Sequence, residues 1–126
     1  MLDFVNLKTH ISVGMVTYQE VDHDHVRALI EISHNGETKV VSTQGNGRLD
    51  CISNALKQIT NIDFTLESYV QHAIEEKSTS KAASYVAIVE DNKTYWGTGI
   101  HTDIMTSSIY AIVTAVNRML DDKGDK

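Results

Sequence analysis

The chain predicts an α+β fold built twice: two βββα units related by a pseudo-twofold axis, each an antiparallel sheet covered by a helix. Three observations carry that prediction. Alternating stretches and helix-spaced stretches occur in the same order in both halves. A tight-turn signal, Asn35-Gly36 or Asp91-Asn92, stands at the same place in each. Shifting the first half by 56 residues then lays Ile30 on Val86, Ile32 on Ile88, Leu49 on Met105 and Leu56 on Ile112. Residue identity is low, so the repeat is one of pattern.

Val5 to Met15 alternates and reads as the first strand, ending near Gly14. A charged connection containing His23-Asp24-His25 follows. Val26, Ala28, Ile30 and Ile32 recur at period two with Arg27 and Glu31 opposite, a half-buried strand. It stops at Asn35-Gly36, two residues that tolerate positive φ, and Thr38 to Thr43 returns as its partner. After Gly45-Asn46-Gly47, helical spacing begins: Leu49, Ile52, Leu56 and Ile59 share one face.

The second half repeats the plan. Phe64 to Ile74 would also suit a helix, and the repeat resolves it as extended. Ser84 to Val89 and Thr94 to Ile100 flank the Asp91-Asn92 turn. A helix from about Asp103 to Leu120 carries Ile104, Ile109, Ile112, Val113 and Val116 on a broad apolar face. Its small residues Ser107, Ala111 and Ala115 form a ridge. That ridge suits either packing on the chain's own sheet or a helix–helix contact, between the halves or with a second copy.

With 126 residues, the expectation is one domain, 1–126, with halves of roughly 5–62 and 63–121 and a frayed tail over 122–126. Composition is ordinary, 41% hydrophobic and 22% charged, and proline is absent. No apolar run approaches the ~20 residues of a spanning helix, and no basic leader precedes Asp3, so neither membrane nor export is expected. Eleven basic against seventeen acidic residues, a net charge of −6, argues against nucleic acid as partner. A single cysteine fits a reducing cytoplasm.

Few residues invite chemistry. Gly45-Asn46-Gly47 lies between a strand and a helix start, where backbone N–H groups and the helix dipole attract a carboxylate or phosphate; a plain tight turn is the alternative. Cys51, in the helix's first turn, is either a small buried side chain or an activated thiol. His23 and His25 imitate a metal pair, but no third ligand is identifiable, so no metal and no cofactor are expected. His72 and His101 are solitary. This inventory points to binding rather than catalysis.

Longer motifs then come into view. Gly45-Asn46-Gly47-Arg48-Leu49-Asp50 before a helix, the tyrosine segment Tyr69 to Ala73, Tyr95-Trp96-Gly97-Thr98-Gly99-Ile100, Thr102-Asp103-Ile104, Ser107-Ser108 and Ala115-Val116-Asn117-Arg118 occur in order. Together, from about Phe4 to Met119, they resemble the C-terminal regulatory domain of 2-isopropylmalate synthase, which citramalate synthases share. Arg48 stands where that family has proline, and Lys77 to Ser80 departs from its usual loop. The resemblance implies a non-catalytic domain of two βββα halves that dimerises its enzyme and binds a branched-chain amino acid, leucine foremost, as feedback inhibitor. It implies a catalytic barrel, in cis or in trans, that condenses acetyl-CoA with a 2-oxo acid. Residue by residue, it implies an effector pocket of Gly45, Gly47, Leu49, Tyr69, Ala73, Ser80, Ala82 and Ile104, with Leu66 a softer match. The competing expectations are a structural dimer module whose pocket has decayed, a citramalate synthase domain sensing isoleucine, and a small enzyme using Cys51 or the His23/His25 pair.

Overall fold

The computed structural model describes residues 11–75 and 80–123, the side chains of 73–75 and 80 excepted. Eight elements follow in order: β1 (Ile11–Asp22), β2 (His25–His34), β3 (Glu37–Gly45), α1 (Arg48–Thr60), β4 (Thr65–Glu75), β5 (Ser80–Glu90), β6 (Lys93–His101) and α2 (Ile104–Asp122). They build two three-stranded antiparallel sheets, β1-β2-β3 and β4-β5-β6, each followed by its helix. The doubled βββα order expected from sequence is the order found.

Both central hairpins turn as their residues dictate. Asn35 and Gly36 take φ of 54° and 88°, and Asp91 and Asn92 take 54° and 64°. Positive φ at both central positions matches the twist of the flanking strands, so His34 pairs with Glu37 and Glu90 with Lys93. The repeat extends to the first strands. Val16 pairs with Ile30, and Tyr69 with Val86, the position 56 residues on from Ile30. A bulge interrupts each first strand just before that pair, between Val13 and Val16 and between Leu66 and Ser68. The offset there is 53 rather than 56, because more residues separate β4 from β5 than β1 from β2.

Three expectations need correction. The first strand was expected over Val5 to Met15; residues 5–10 lie outside the described residues, and β1 runs on through Gly14 to Asp22. The bulge after Val13 breaks the alternation without ending the ladder, which is why Gly14 reads misleadingly as a stop. The charged connection shrinks to a tight turn at His23-Asp24, with His25 already in β2. Asp122, expected in a frayed tail, ends α2, where its carboxylate accepts from the Tyr95 hydroxyl at 2.7 Å and from Lys93 at 3.3 Å.

One core joins the halves. Ile30 and Ile32 from the first sheet, Val86 and Ile88 from the second, Ile52 and Leu56 from α1, and Ile112, Val116 and Met119 from α2 are all buried within it. The helices touch each other, and α2 also reaches β1 across the halves. There Asn117 clasps Ile11 as a strand neighbour would. The Ile11 N–H donates to its Oδ1 at 2.8 Å, and its Nδ2 donates to the Ile11 carbonyl at 3.0 Å.

The small-residue ridge packs on its own sheet. Ser107, Ala111 and Ala115 are fully buried, and a Cβ on Gly97 would strike the Ala111 carbonyl, one on Gly99 the Ser107 carbonyl. Glycines on β6 and small residues on α2 together bring backbone against backbone.

Candidate functional site

The residues singled out by resemblance, Leu66 apart, fall at the starts of the two helices and on the part of β4 and β5 that pairs up to His101. Gly45 closes β3 opposite Val26, and Gly47 is the residue preceding α1, in extended conformation. No side chain caps this helix. The first N–H groups of α1 therefore have no side-chain acceptor at the N-cap, and the acid of its first turn is Asp50. Asp50 instead folds back, its Oδ2 accepting from the Asn46 N–H at 3.0 Å and so bracing the turn. Leu49 lies buried one residue into the helix.

The start of α2 differs. Asp103 caps it, Oδ2 accepting from the Thr106 N–H at 2.8 Å and from its hydroxyl at 2.7 Å. These bonds hold the Asp103 carboxyl below its ordinary range, helped by the charge of Arg48. Ile104 follows with half its surface exposed.

Tyr18 of β1 lies beside the start of α1. The Arg48 guanidinium sits over its ring, 5.1 Å from the centroid. Burial raises the phenol's pKa, Arg48 pulls it back, and Asp103 from the other half also acts on it. The beginnings of α1 and α2 thus share one electrostatic neighbourhood. Nothing in the sequence motifs drew attention to Tyr18; only the mutual approach of the halves gives it a role.

On the second sheet, Tyr69 reaches α2 through its hydroxyl, 2.6 Å from Ser108 Oγ. Ala82, nearly buried, pairs with His101, whose Nδ1 accepts from the Asp103 N–H at 2.9 Å. Ala73 pairs with Ala82, and Ser80 with Glu75, which places both backbones at that end of the sheet. Leu66 is not brought there: it pairs with Ile88, six positions along β5 from Ala82, and packs against the core.

The other candidates resolve into structure. Cys51 is fully buried, its thiol donates to the Val26 carbonyl at 3.2 Å, and burial pushes its pKa up, opposite to what a nucleophile needs. His25 Nδ1 bonds Asp22 Oδ1 at 2.8 Å within the hairpin. Among the described residues, no helix is long and apolar enough to cross a membrane.

Fold and site together define a twofold-repeated βββα domain in which the start of α1 lacks a side-chain cap and the start of α2 has one. Residues 5–120 match the LeuA allosteric (dimerisation) domain, and the chain belongs to that family. It is 37% identical to a 2-isopropylmalate synthase of Desulfitobacterium hafniense over 95% of its length and 21% of that protein. Against the 2-isopropylmalate synthase of Helicobacter hepaticus it is 37% identical over 94% of its length and 22% of the relative. For that of Rhizobium johnstonii the figures are 38%, 87% and 20%. The chain thus spans about a fifth of the length of these relatives.

Proposed function

We propose that this chain is the effector-sensing regulatory domain of a 2-isopropylmalate synthase-like acyltransferase, and that it binds a free branched-chain amino acid, leucine first among them. The observation that carries this reading is the uncapped start of α1. The Gly45–Leu49 segment offers N–H groups and a dipole to a carboxylate, and Arg48 adds a cation held close by Tyr18. Leu49, Tyr69 and the half-exposed Ile104 supply apolar surface for an aliphatic side chain, and Ala82 leaves it room. Burying such a side chain contributes about 1.5–3 kcal/mol. The domain works as a homodimer, in the cytoplasm, with a catalytic barrel joined in cis or in trans.

Regulation requires that the effector bind one arrangement of the halves better than another, since equal affinity for both shifts nothing. Arg48 at the start of α1 lies on Tyr18, and the charge of Asp103 before α2 acts on the same phenol, so a ligand seated between them favours one relative placement of α1 and α2. Calorimetric titration of the chain with leucine, isoleucine, valine and methionine tests the reading. Heat saturating with leucine at sub-millimolar to millimolar concentration is expected. A stronger response to isoleucine assigns the domain to the citramalate branch, and no response to any of the four refutes sensing.

Arg48 favours one rival reading, a dimer module without effector. Its side chain lies on Tyr18 at the site's edge, where the resembled family has proline. A dimer by light scattering, with no amino acid raising the melting temperature, selects that rival.

A further inference from the structure

We propose that Ser108 is the positioning residue that sets the width, and hence the side-chain preference, of the effector pocket; this rests on the reading above. Ser108 is fully buried and its hydroxyl is completely used. It donates to the Ile104 carbonyl at 2.9 Å and accepts from the Tyr69 hydroxyl at 2.6 Å and from Gln71 Nε2 at 3.1 Å. One hydrogen and two lone pairs leave no capacity for more. Ser84, 3.2 Å away, gives its own hydrogen to the nearer Ser107 Oγ at 2.7 Å, and Ser107 donates to the same Ile104 carbonyl at 2.8 Å.

The fold does not demand these hydroxyls. In the first half the positions matching Ser84, Ser107 and Ser108 are Ala28, Cys51 and Ile52, all buried, and the same architecture stands on them. Three buried serines carry a desolvation cost that their apolar counterparts avoid. What they add is directional. Tyr69 and Gln71 lie on β4, an edge strand that, among the described residues, pairs only with β5. Their bonds to Ser108 tie that edge to the first turns of α2, through the serine that donates to the Ile104 carbonyl. Tyr69 remains 39% exposed, so the bond orients a ring that fronts on solvent. Hydrogen bonds through Ser108 therefore help to fix where the Tyr69 ring stands relative to Ile104. Preference between aliphatic chains differing by one methylene is worth about tenfold or a little more, which is within reach of a small shift of that wall.

The test titrates leucine, isoleucine and valine into the 126-residue chain and its Ser108→Ala and Tyr69→Phe variants. Each variant is expected to bind the preferred amino acid about fivefold more weakly and to lose a similar factor of preference over valine, with the double variant little worse than either single one. Lowered melting temperature accompanies a structural role as well, whereas the ratio of affinities responds to pocket shape. Tyr69→Phe alters a part-exposed ring and keeps the test open if burying the unpaired Tyr69 and Gln71 donors unfolds Ser108→Ala. Binding by the parent chain with unchanged preference in Tyr69→Phe overturns this inference and leaves effector sensing standing. No binding by the parent chain overturns both.

Discussion

The two halves share a topology and solve the same packing problem in opposite ways. In the second, Gly97 and Gly99 let α2 settle until helix carbonyls meet the strand. In the first, the matching positions are Val41 and Thr43, and α1 stands off on side chains. The Thr43 hydroxyl there donates to the Cys51 carbonyl at 2.9 Å, the counterpart of the Ser107 carbonyl that Gly99 admits. The helix starts diverge as well, since Asp103 caps α2 at the position where α1 has Gly47. Duplication supplied one scaffold. Side-chain size then set each helix's height above its sheet, and one carboxylate decided which helix start is capped by its own side chain.

Giving the second half the first half's residue breaks the comparison most severely. Gly97→Val drives side-chain atoms into the backbone of α2 and is expected to cost about 3 kcal/mol or more in urea unfolding. The reverse change, Val41→Gly, leaves space and backbone freedom instead and is expected to cost about 1–2 kcal/mol. Equal costs would mean that the helices sit alike.

Exchanging the caps comes next. Nothing lies within 4 Å of a Cβ built on Gly47, so Gly47→Asp fits and gives α1 the carboxylate that α2 has. Stability should rise by a few tenths of a kcal/mol while leucine affinity falls about tenfold, because the new carboxylate competes for the same N–H groups. Unchanged affinity would remove α1's start from the site. Thr43→Val keeps the volume and deletes the bond to Cys51; about 1 kcal/mol of stability should be lost, with no change at the second half's glycine seat.

The smallest effect is a pH dependence at the end of α2. Burial first, and then the bond to the Asp122 carboxylate, pushes the Tyr95 phenol up to about 12 from 10.0. A phenol raised in the folded state stabilises fully below pH 10, and that contribution fades as pH climbs from 10 towards 12. Asp122 is held low by the same bond, so its share is present at neutral pH and fades as pH falls through the carboxylate range. Ultraviolet titration of Asp122→Asn should show one tyrosine ionising at lower pH than in the parent chain.

The hairpins and helices were legible because their signals are local. Asn35-Gly36 specifies a turn by backbone sterics, and Leu49, Ile52 and Leu56 specify a helix face by spacing alone. The limits of β1 were not, because a bulge shifts the alternation without stopping the ladder, and a glycine beside it imitates an end. The candidate site was proposed from sequence where motifs run continuously, at Gly45 to Leu49. It was not legible at Tyr18 and Ser108, whose partners lie on other elements: Arg48 for the one, Tyr69 and Gln71 for the other. Leu66 entered the expected pocket through sequence position, and the β4–β5 register carries it to the far end of the sheet.

Order and kind of elements, their duplication and their turns are thus written along the chain, since each depends on neighbours a few residues apart. How close each helix lies to its sheet, whether the small ridge of α2 meets a strand or another helix, and which side chains converge where the halves join were settled only on folding. Those outcomes depend on steric contact and hydrogen bonding between residues dozens of positions apart, and no local signal encodes such distances.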